Sequence, residues 1–307
     1  MEYRRTLPTL TKPSAVALGL FDGLHLGHRA VISRAVSCGP ELLPVVFTFS
    51  FDSPEEATKP DFANILSSSR KEGILQELGV QLVCEPAFSS FRDMAPEEFF
   101  EEVLCRKLQA AALFCGEDFR FGKNAAGDTT LLKKLCRKAG IHLETVPAVQ
   151  DQGEPVSSTR IRRLLRQGDM EAAARLLGEP YTIDYPVSHG RQLGRTMGYP
   201  TINQLDPAGD LLPRNGVYAT LAVVEGKCYP AVTNVGVKPT LGGLDAPSAE
   251  STLLGFEGDL YGKQVPVSFY RFLRPEQKFP DIETLFRQVA EDARQAKNFF
   301  EKNEKNA

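Results

Sequence analysis

Five short apolar runs separated by amphipathic stretches constrain the first half of this chain more than any other feature. The runs are Ala15 to Leu18, Pro44 to Phe49, Val80 to Cys84, Ala111 to Cys115 and Leu143 to Val146. Between them lie segments with helical spacing: His28 to Val36, Ser69 to Leu78, Pro96 to Gln109 and Thr129 to Ala139. Continuous apolar strands alternating with helices predict an α/β fold, a doubly wound parallel sheet covered on both faces. Ligands of such sheets bind outside the carboxyl ends of the strands.

The texture changes after Arg166. A helix over Asp169 to Leu177 is stopped by Gly178 and Pro180, a glycine cap followed by a residue that cannot continue the helix. Strand candidates punctuated by Gly and Pro follow at Val217 to Val224, Tyr229 to Val235 and Val265 to Phe272, predicting a compact antiparallel barrel or sandwich. Asp281 to Phe300 reads as a closing helix, with Ile282, Leu285, Phe286, Val289, Ala293 and Ala296 on its apolar stripe. A length of 307 residues suits two domains, and the boundary is placed at 182, giving 1–182 and 183–307.

Net charge is −3 and the pI about 5.9, which gives no general attraction to nucleic acid or an anionic membrane. No apolar run reaches the length of a membrane span, and the start, MEYRRTLPTL, lacks a signal-peptide core. The six cysteines show no CxxC spacing and read as reduced, mostly buried thiols of a cytoplasmic protein rather than a disulfide frame or zinc site.

Three segments carry chemistry. Gly19 to His28 (GLFDGLHLGH) leaves the first strand and opens a helix, where free N–H groups and a positive dipole end favour an anion. Two of the four histidines, His25 and His28, flank Gly27 there. The plain alternative is a Gly-rich turn holding two hydrogen-bonded imidazoles. Neither a GxGxxG nor a P-loop pattern is present. The second segment, Val156 to Arg166, starts a helix with hydroxyls and carries Arg160, Arg162, Arg163 and Arg166, a set suited to a triphosphate or, more blandly, to a solvated basic face. In the third, Gly190, Gly194 and Gly198 are spaced four apart, with Arg195 between and Tyr199-Pro200-Thr201-Ile202-Asn203 after them. On an extended segment Thr201 and Asn203 face one side and their oxygens can share a metal ion.

The run ending His25-Leu26-Gly27-His28 resembles the HxGH signature of nucleotidyltransferases, and with Phe21-Asp22-Gly23 it is similar to the first module of bacterial bifunctional riboflavin kinase/FAD synthetases. Gly116 to Lys123 and Ser157-Ser158-Thr159-Arg160-Ile161-Arg162 match further elements of that module, and the PTIN segment resembles the kinase Pro-Thr-Ala-Asn motif. Asn215 to Ala219, Asn234 to Thr240, Glu250 to Leu254 and Arg271 to Phe279 follow in the family's order.

The resemblance implies a Rossmann-like adenylyltransferase domain and an antiparallel β-barrel riboflavin kinase domain. It implies that His25, His28 and Glu250 are catalytic and that Thr201 and Asn203 hold Mg2+. Gly19, Phe21, Asp22, Gly23, Ser157, Ser158, Thr159, Arg160, Arg162, Gly190, Gly194, Arg195, Gly198 and Pro200 would bind nucleotide. Asp118, Phe119 and Arg271 would bind flavin. Riboflavin, FMN and ATP are the implied partners, without nucleic acid or membrane, for a monomer or weak homo-oligomer. The chemistry agrees. A ribityl hydroxyl needs a base such as Glu250, whereas the FMN phosphate, with a second pKa of about 6, does not.

The chain departs from the pattern at four places: no His-Pro pair in Phe49 to Pro54, Ala125 and Ala126 where a basic residue is usual, Thr252 for a frequent His, and Tyr185 for a usual Gly. A riboflavin kinase with a degenerate first module and a non-catalytic flavin-binding regulator are the alternatives. Thr201, Asn203 and Glu250 together argue against the regulator, because binding alone requires no base.

Overall fold

The computed structural model describes residues 1–51, 63–188, 201–205, 209–239 and 245–304. The chain forms two compact units: Met1–Ala63 with Ser68–Ser157, and Asn64–Ser67 with Ser158–Ala307.

In the first unit the elements run β1 (Glu2–Arg4), β2 (Ser14–Leu18), α1 (Leu26–Val36), β3 (Leu43–Phe47), α2 (Ser68–Glu77), β4 (Leu82–Cys84), α3 (Pro96–Glu98), β5 (Ala110–Gly116), α4 (Thr129–Ala139) and β6 (His142–Val146). A small hairpin, β7 (Gln150–Asp151) with β8 (Glu154–Pro155), completes it. The six strands form one parallel sheet in the order β1-β4-β3-β2-β5-β6. All five residues of β2 are buried, as the uninterrupted apolar run requires of a central strand covered on both faces. The edge strand β1 was not anticipated; three residues of Glu-Tyr-Arg carry no apolar signal. The expected helix after Pro96 keeps α-geometry for three residues and then continues as a π-helix over Phe99–Lys107. Cys84, Cys115 and Cys136 are buried free thiols, Cys38 and Cys105 are half-buried, and Cys228 is exposed.

The second unit holds α5 (Ser158–Gln167), α6 (Met170–Leu177), β9 (Tyr181–Ile183), β10 (Val187–Ser188), β11 (Thr201–Leu205), β12 (Gly216–Val224), β13 (Lys227–Pro239), β14 (Asp245–Leu253), β15 (Val267–Arg274) and α7 (Ile282–Glu304). Asp169 caps the start of α6 through the Ala172 N–H, and Gly178 closes it at φ 83°. The sequence reading assigns α5 and α6 to the first domain; in compactness they group with the second, where α6 packs on β9 and β15. Asn64–Ser67 also joins this unit. Ser67 Oγ donates to Asp184 at 2.6 Å, and the Asn64 carbonyl accepts from Leu211 at 2.8 Å.

The antiparallel strands run β10-β11-β14-β13-β12-β15-β9. Residues 181–188 close them into a barrel. Their first half pairs with β15 and their second with β11, while Val187 also bonds Gly262 and Lys263. Inside lie Tyr218, Phe269 and a chain of hydroxyls, Thr220 to Thr233 at 2.7 Å and Thr233 to Ser251 at 2.8 Å. Outside, Val217, Ala219 and Val232 pack against Ala293 and Ala296 of α7, with Phe299 and Phe300 alongside. The front of the expected apolar stripe does not join them: Ile282 is 61% and Phe286 38% exposed.

Arg274 pins α7 to the barrel. Its guanidinium binds Asp292 with contacts of 3.0, 3.2 and 2.7 Å, and Gln288 adds a third donor at 2.9 Å. Asp292 is 3% and Arg274 19% exposed as side chains. Removing one member of a buried pair strands the other charge, at a cost of about 3–5 kcal/mol. Asp292→Ala is expected to lower the unfolding free energy of the second unit, read from urea titration, by that scale, while an Arg274→Met/Asp292→Leu double variant recovers much of the loss. Equal losses in both variants would show that the pair is not what holds α7.

Candidate active sites

In the first unit the site is built at the carboxyl end of β2. Gly19 is required there: a Cβ would lie 2.9 Å from the Phe21 ring. Phe21 and Leu24 take positive φ of 49° and 40°, folding the turn tightly before α1. His25 is the N-cap, and its Nδ1 accepts the His28 N–H at 3.2 Å. With Nδ1 accepting, the neutral ring carries its proton on Nε2, where it can donate to an anion. His28 stacks on His25 at 3.6 Å and 20°, and Phe21 meets His28 edge-on at 5.3 Å.

Burial lowers the pKa of both rings. His25 is lowered to about 4, with Asp22 and Asp118 opposing. His28 is lowered to about 3 by burial first, then by His25, with Asp22 opposing and Lys71 adding to the fall. His28 Nδ1 is buried without a hydrogen-bond partner among the described residues; a native group in that condition calls for a ligand or water. The Val156 carbonyl also comes close to Gly27, 3.8 Å from where a Cβ would stand.

The structure therefore brings Gly19, Phe21, Asp22, Gly23, His25 and His28 into one turn, with Asp118 close enough to act on His25. Phe119 stacks in parallel with Phe121 at 5.9 Å and 11°. Ser157 ends the first unit, and Ser158, Thr159, Arg160 and Arg162 lie on α5 of the second, Arg162 buried.

In the second unit the barrel register makes the site. Asn203 on β11 pairs with Glu250 on β14, which pairs with Asn234 on β13. Thr201 lies two residues from Asn203, opposite Thr252, and so on the same outer face. A hydroxyl, two amides and a carboxylate thus line adjacent rows of three strands. Asn234 Nδ2 donates to Glu276 at 3.1 Å, and Glu276 lies so close to Gly236 that a Cβ there would stand 2.3 Å from its Oε1. Periodicity does not single out Asn234 or Glu276, because their relevance comes from cross-strand register.

Arg271 stands apart. It lies on β15, three strands from β14, bound to Glu171 at 2.8 Å and stacked 4.9 Å from the Phe299 ring. Tyr185 is buried with its hydroxyl on Asp210 at 3.3 Å. Gly190, Gly194, Arg195, Gly198 and Pro200 lie outside the described residues, as does the stretch Asp52 to Pro54.

A parallel sheet with paired imidazoles at a helix N-terminus, and in the same chain a closed barrel with an outward carboxylate row, outline a two-module nucleotidyl- and phosphoryl-transfer enzyme. The comparisons with known proteins give the family. Residues 7–160 match the family model FAD synthetase and residues 177–300 the family model riboflavin kinase. The chain is 35% identical over 274 residues to a bifunctional riboflavin kinase/FMN adenylyltransferase of Pseudomonas fluorescens, covering 87% of each. It is 34% identical over 295 residues to the Bacillus subtilis protein of that name, covering 94% of this chain and 92% of the relative. A crystal structure of a protein called a macrolide-efflux protein, from Streptococcus pneumoniae, matches with a TM-score of 0.85 at 30% identity, covering 96% of this chain and 98% of that one. The chain belongs to the bifunctional riboflavin kinase/FMN adenylyltransferase family. Among the described residues no helix is long and apolar enough to cross a membrane.

The depressed histidine values have a consequence for stability. Between about pH 6.5, the unperturbed value, and the folded values of about 4 and 3, the unfolded chain binds protons that the folded chain refuses. Their stabilising contribution is complete above pH 6.5 and is lost as pH falls through that window. A His25→Asn/His28→Asn variant is expected to lose less stability between pH 6.5 and 4 than the parent, read as urea midpoints by circular dichroism. Parallel pH dependences would contradict the buried neutral pair.

Proposed function

We propose that the second module phosphorylates riboflavin with ATP to give FMN and the first adenylylates FMN with a second ATP to give FAD and pyrophosphate. The functional division is taken at 1–182 and 183–307, in a cytoplasmic protein that is monomeric or weakly associated. The observation that supports this most is the register Asn203–Glu250–Asn234 with Thr201 on the same face.

In the kinase module Glu250 accepts the proton of the ribityl hydroxyl as that oxygen attacks the γ-phosphorus. Thr201 and Asn203 fit Mg2+, a hard cation that takes oxygen ligands and usually draws the rest of its shell from water and substrate phosphates. Among the described residues no group of three or more His, Cys, Asp or Glu could hold a metal by itself. When bound, it neutralises charge on the transferring phosphoryl group. Gly190, Gly194, Arg195, Gly198 and Pro200 are assigned to the nucleotide; Arg271, assigned to the flavin by resemblance, lies three strands from Glu250 and is bound to Glu171.

In the adenylyltransferase module the nucleophile is the FMN phosphate, largely ionised at neutral pH, so positioning and charge neutralisation replace proton abstraction. His25 donates from Nε2, His28 offers its second ring, and the first turn of α1 presents backbone N–H groups to the α-phosphate. Ser157, Ser158, Thr159, Arg160 and Arg162 are assigned to the triphosphate by their chemistry, and Asp118 and Phe119 to the flavin.

Incubation of the protein with riboflavin and MgATP, followed by chromatography, is expected to yield both FMN and FAD; FMN alone would favour the kinase with a degenerate first module. Glu250→Gln is expected to lower kcat for FMN formation by about 10²–10⁴ with little change in binding. An active Glu250→Gln enzyme removes Glu250 from the role of base. His28→Ala is expected to abolish FAD formation from FMN and leave FMN formation near the parent rate. Loss of both activities in a folded variant would contradict two separate sites.

A further inference from the structure

Behind the histidine turn lies a buried ammonium that none of the assigned roles uses. Lys71, on α2, is 9% exposed. Its Nζ binds Glu85 Oε1 at 2.7 Å and sits 3.5 Å from Thr48 Oγ1. Thr48 is fully buried just past the end of β3, and its hydroxyl donates to the Leu20 carbonyl at 2.6 Å. Leu20 lies between Gly19 and Phe21, inside the turn that delivers His25 and His28. The Gly19 N–H meets the Phe47 carbonyl at 3.2 Å, a second tie from the same strand end.

We propose that Lys71 is a positioning residue of the adenylyl-transfer site, acting through Thr48 on the Gly19–His28 turn. The inference rests on the adenylyltransferase reading above. A desolvated lysine is costly unless paired, and a surface Lys–Glu pair would serve α2 equally well for stability. Here the ammonium is buried, its Glu85 partner is half-buried, and the contacts of Lys71 end on the hydroxyl that holds the turn. The charged groups facing His28 are His25 and Asp22 from its own turn and Lys71 from α2, while Asp118, after β5, faces His25. Lys71 and His25 both oppose protonation of His28, and Asp22 favours it. The cation thus helps keep His28 neutral before an anion arrives.

The test uses the full chain and its four histidines, few enough to assign by nuclear magnetic resonance. Lys71→Met is expected to move the His28 titration to higher pH and to raise KM for ATP in FAD formation by about tenfold, the scale of one lost hydrogen bond. FMN formation should stay within twofold. Lys71→Arg is expected to restore both readouts toward the parent. Because Lys71→Met strands the Glu85 carboxylate, a Lys71→Met/Glu85→Gln variant is measured beside it. A folded double variant with unchanged His28 titration and unchanged KM for ATP overturns the proposal, as does an equal fall in both activities. A parent protein that makes no FAD defeats the adenylyltransferase reading instead, and the titration still decides whether Lys71 acts on His28.

Discussion

Closure of the barrel by residues 181–188 is the constraint on which the second module depends. An open seven-stranded sheet would leave two edges of unpaired backbone groups. One bent segment removes both by pairing first with β15 and then with β11. Closure also fixes which residues face inward, because neighbours on a strand point to opposite faces. The interior takes Ser251, Thr233 and Thr220 as a satisfied hydroxyl chain, and Gln204 donates to the carbonyls of Tyr185 and Val265 at 2.7 and 2.8 Å. Glu250, next to Ser251, must then face outward. A one-residue slip would bury the carboxylate and expose the serine, so the packing of the core and the placing of the proposed base are one choice.

The first module solves a different problem with similar economy. A helix start needs a side chain to accept one of its free N–H groups, and Ser, Thr, Asp or Asn usually serves. Here an imidazole does it. Using His25 as the cap fixes its tautomer and aims the Nε2–H away from the helix. Stacking His28 on that ring carries the geometry to the second imidazole. Burial keeps both rings neutral beside the N-terminus of α1.

The parallel sheet is legible in the sequence because its central strands β2 to β5 are buried and read as solid apolar runs. Helix α4 is legible for another reason: Asp128 caps its start and Gly140 its end, both local signals. Strands β11 and β14 are not legible in the same way. TINQL and SAESTL mix small, polar and charged residues, since the inward face carries Gln204 and Ser251 beside Ile202 and the outward face carries polar groups. The candidate site was readable only where chemistry clusters along the chain, at His25-Leu26-Gly27-His28, at Val156 to Arg166 and at Thr201 to Asn203. Asn234 and Glu276 entered only inside segments that resemble the family, with no role of their own, and Lys71 and Thr48 escaped, because register and tertiary packing, not spacing, bring them together with their partners. Glu250 came from family resemblance alone; a single strand glutamate has no local mark.

The two sites differ in how they treat a proton, and under the proposed assignments that difference orders the reactions. A ribityl hydroxyl is un-ionised near neutral pH, so its attack on ATP needs a carboxylate positioned to take the proton. The histidine turn carries Asp22, with Asp118 near His25, and both carboxylates act on the ring charges; under the proposed assignments neither takes a nucleophile's proton, and the groups that meet the anion are the His25 Nε2–H and backbone N–H groups. Riboflavin brought there would be a poor nucleophile. Once phosphorylated it carries an oxygen that is largely ionised without help, and a site made of donors and a helix dipole is then sufficient. The adenylyl step therefore waits on the phosphoryl step because of the nucleophile each site can use, whichever module the flavin meets first.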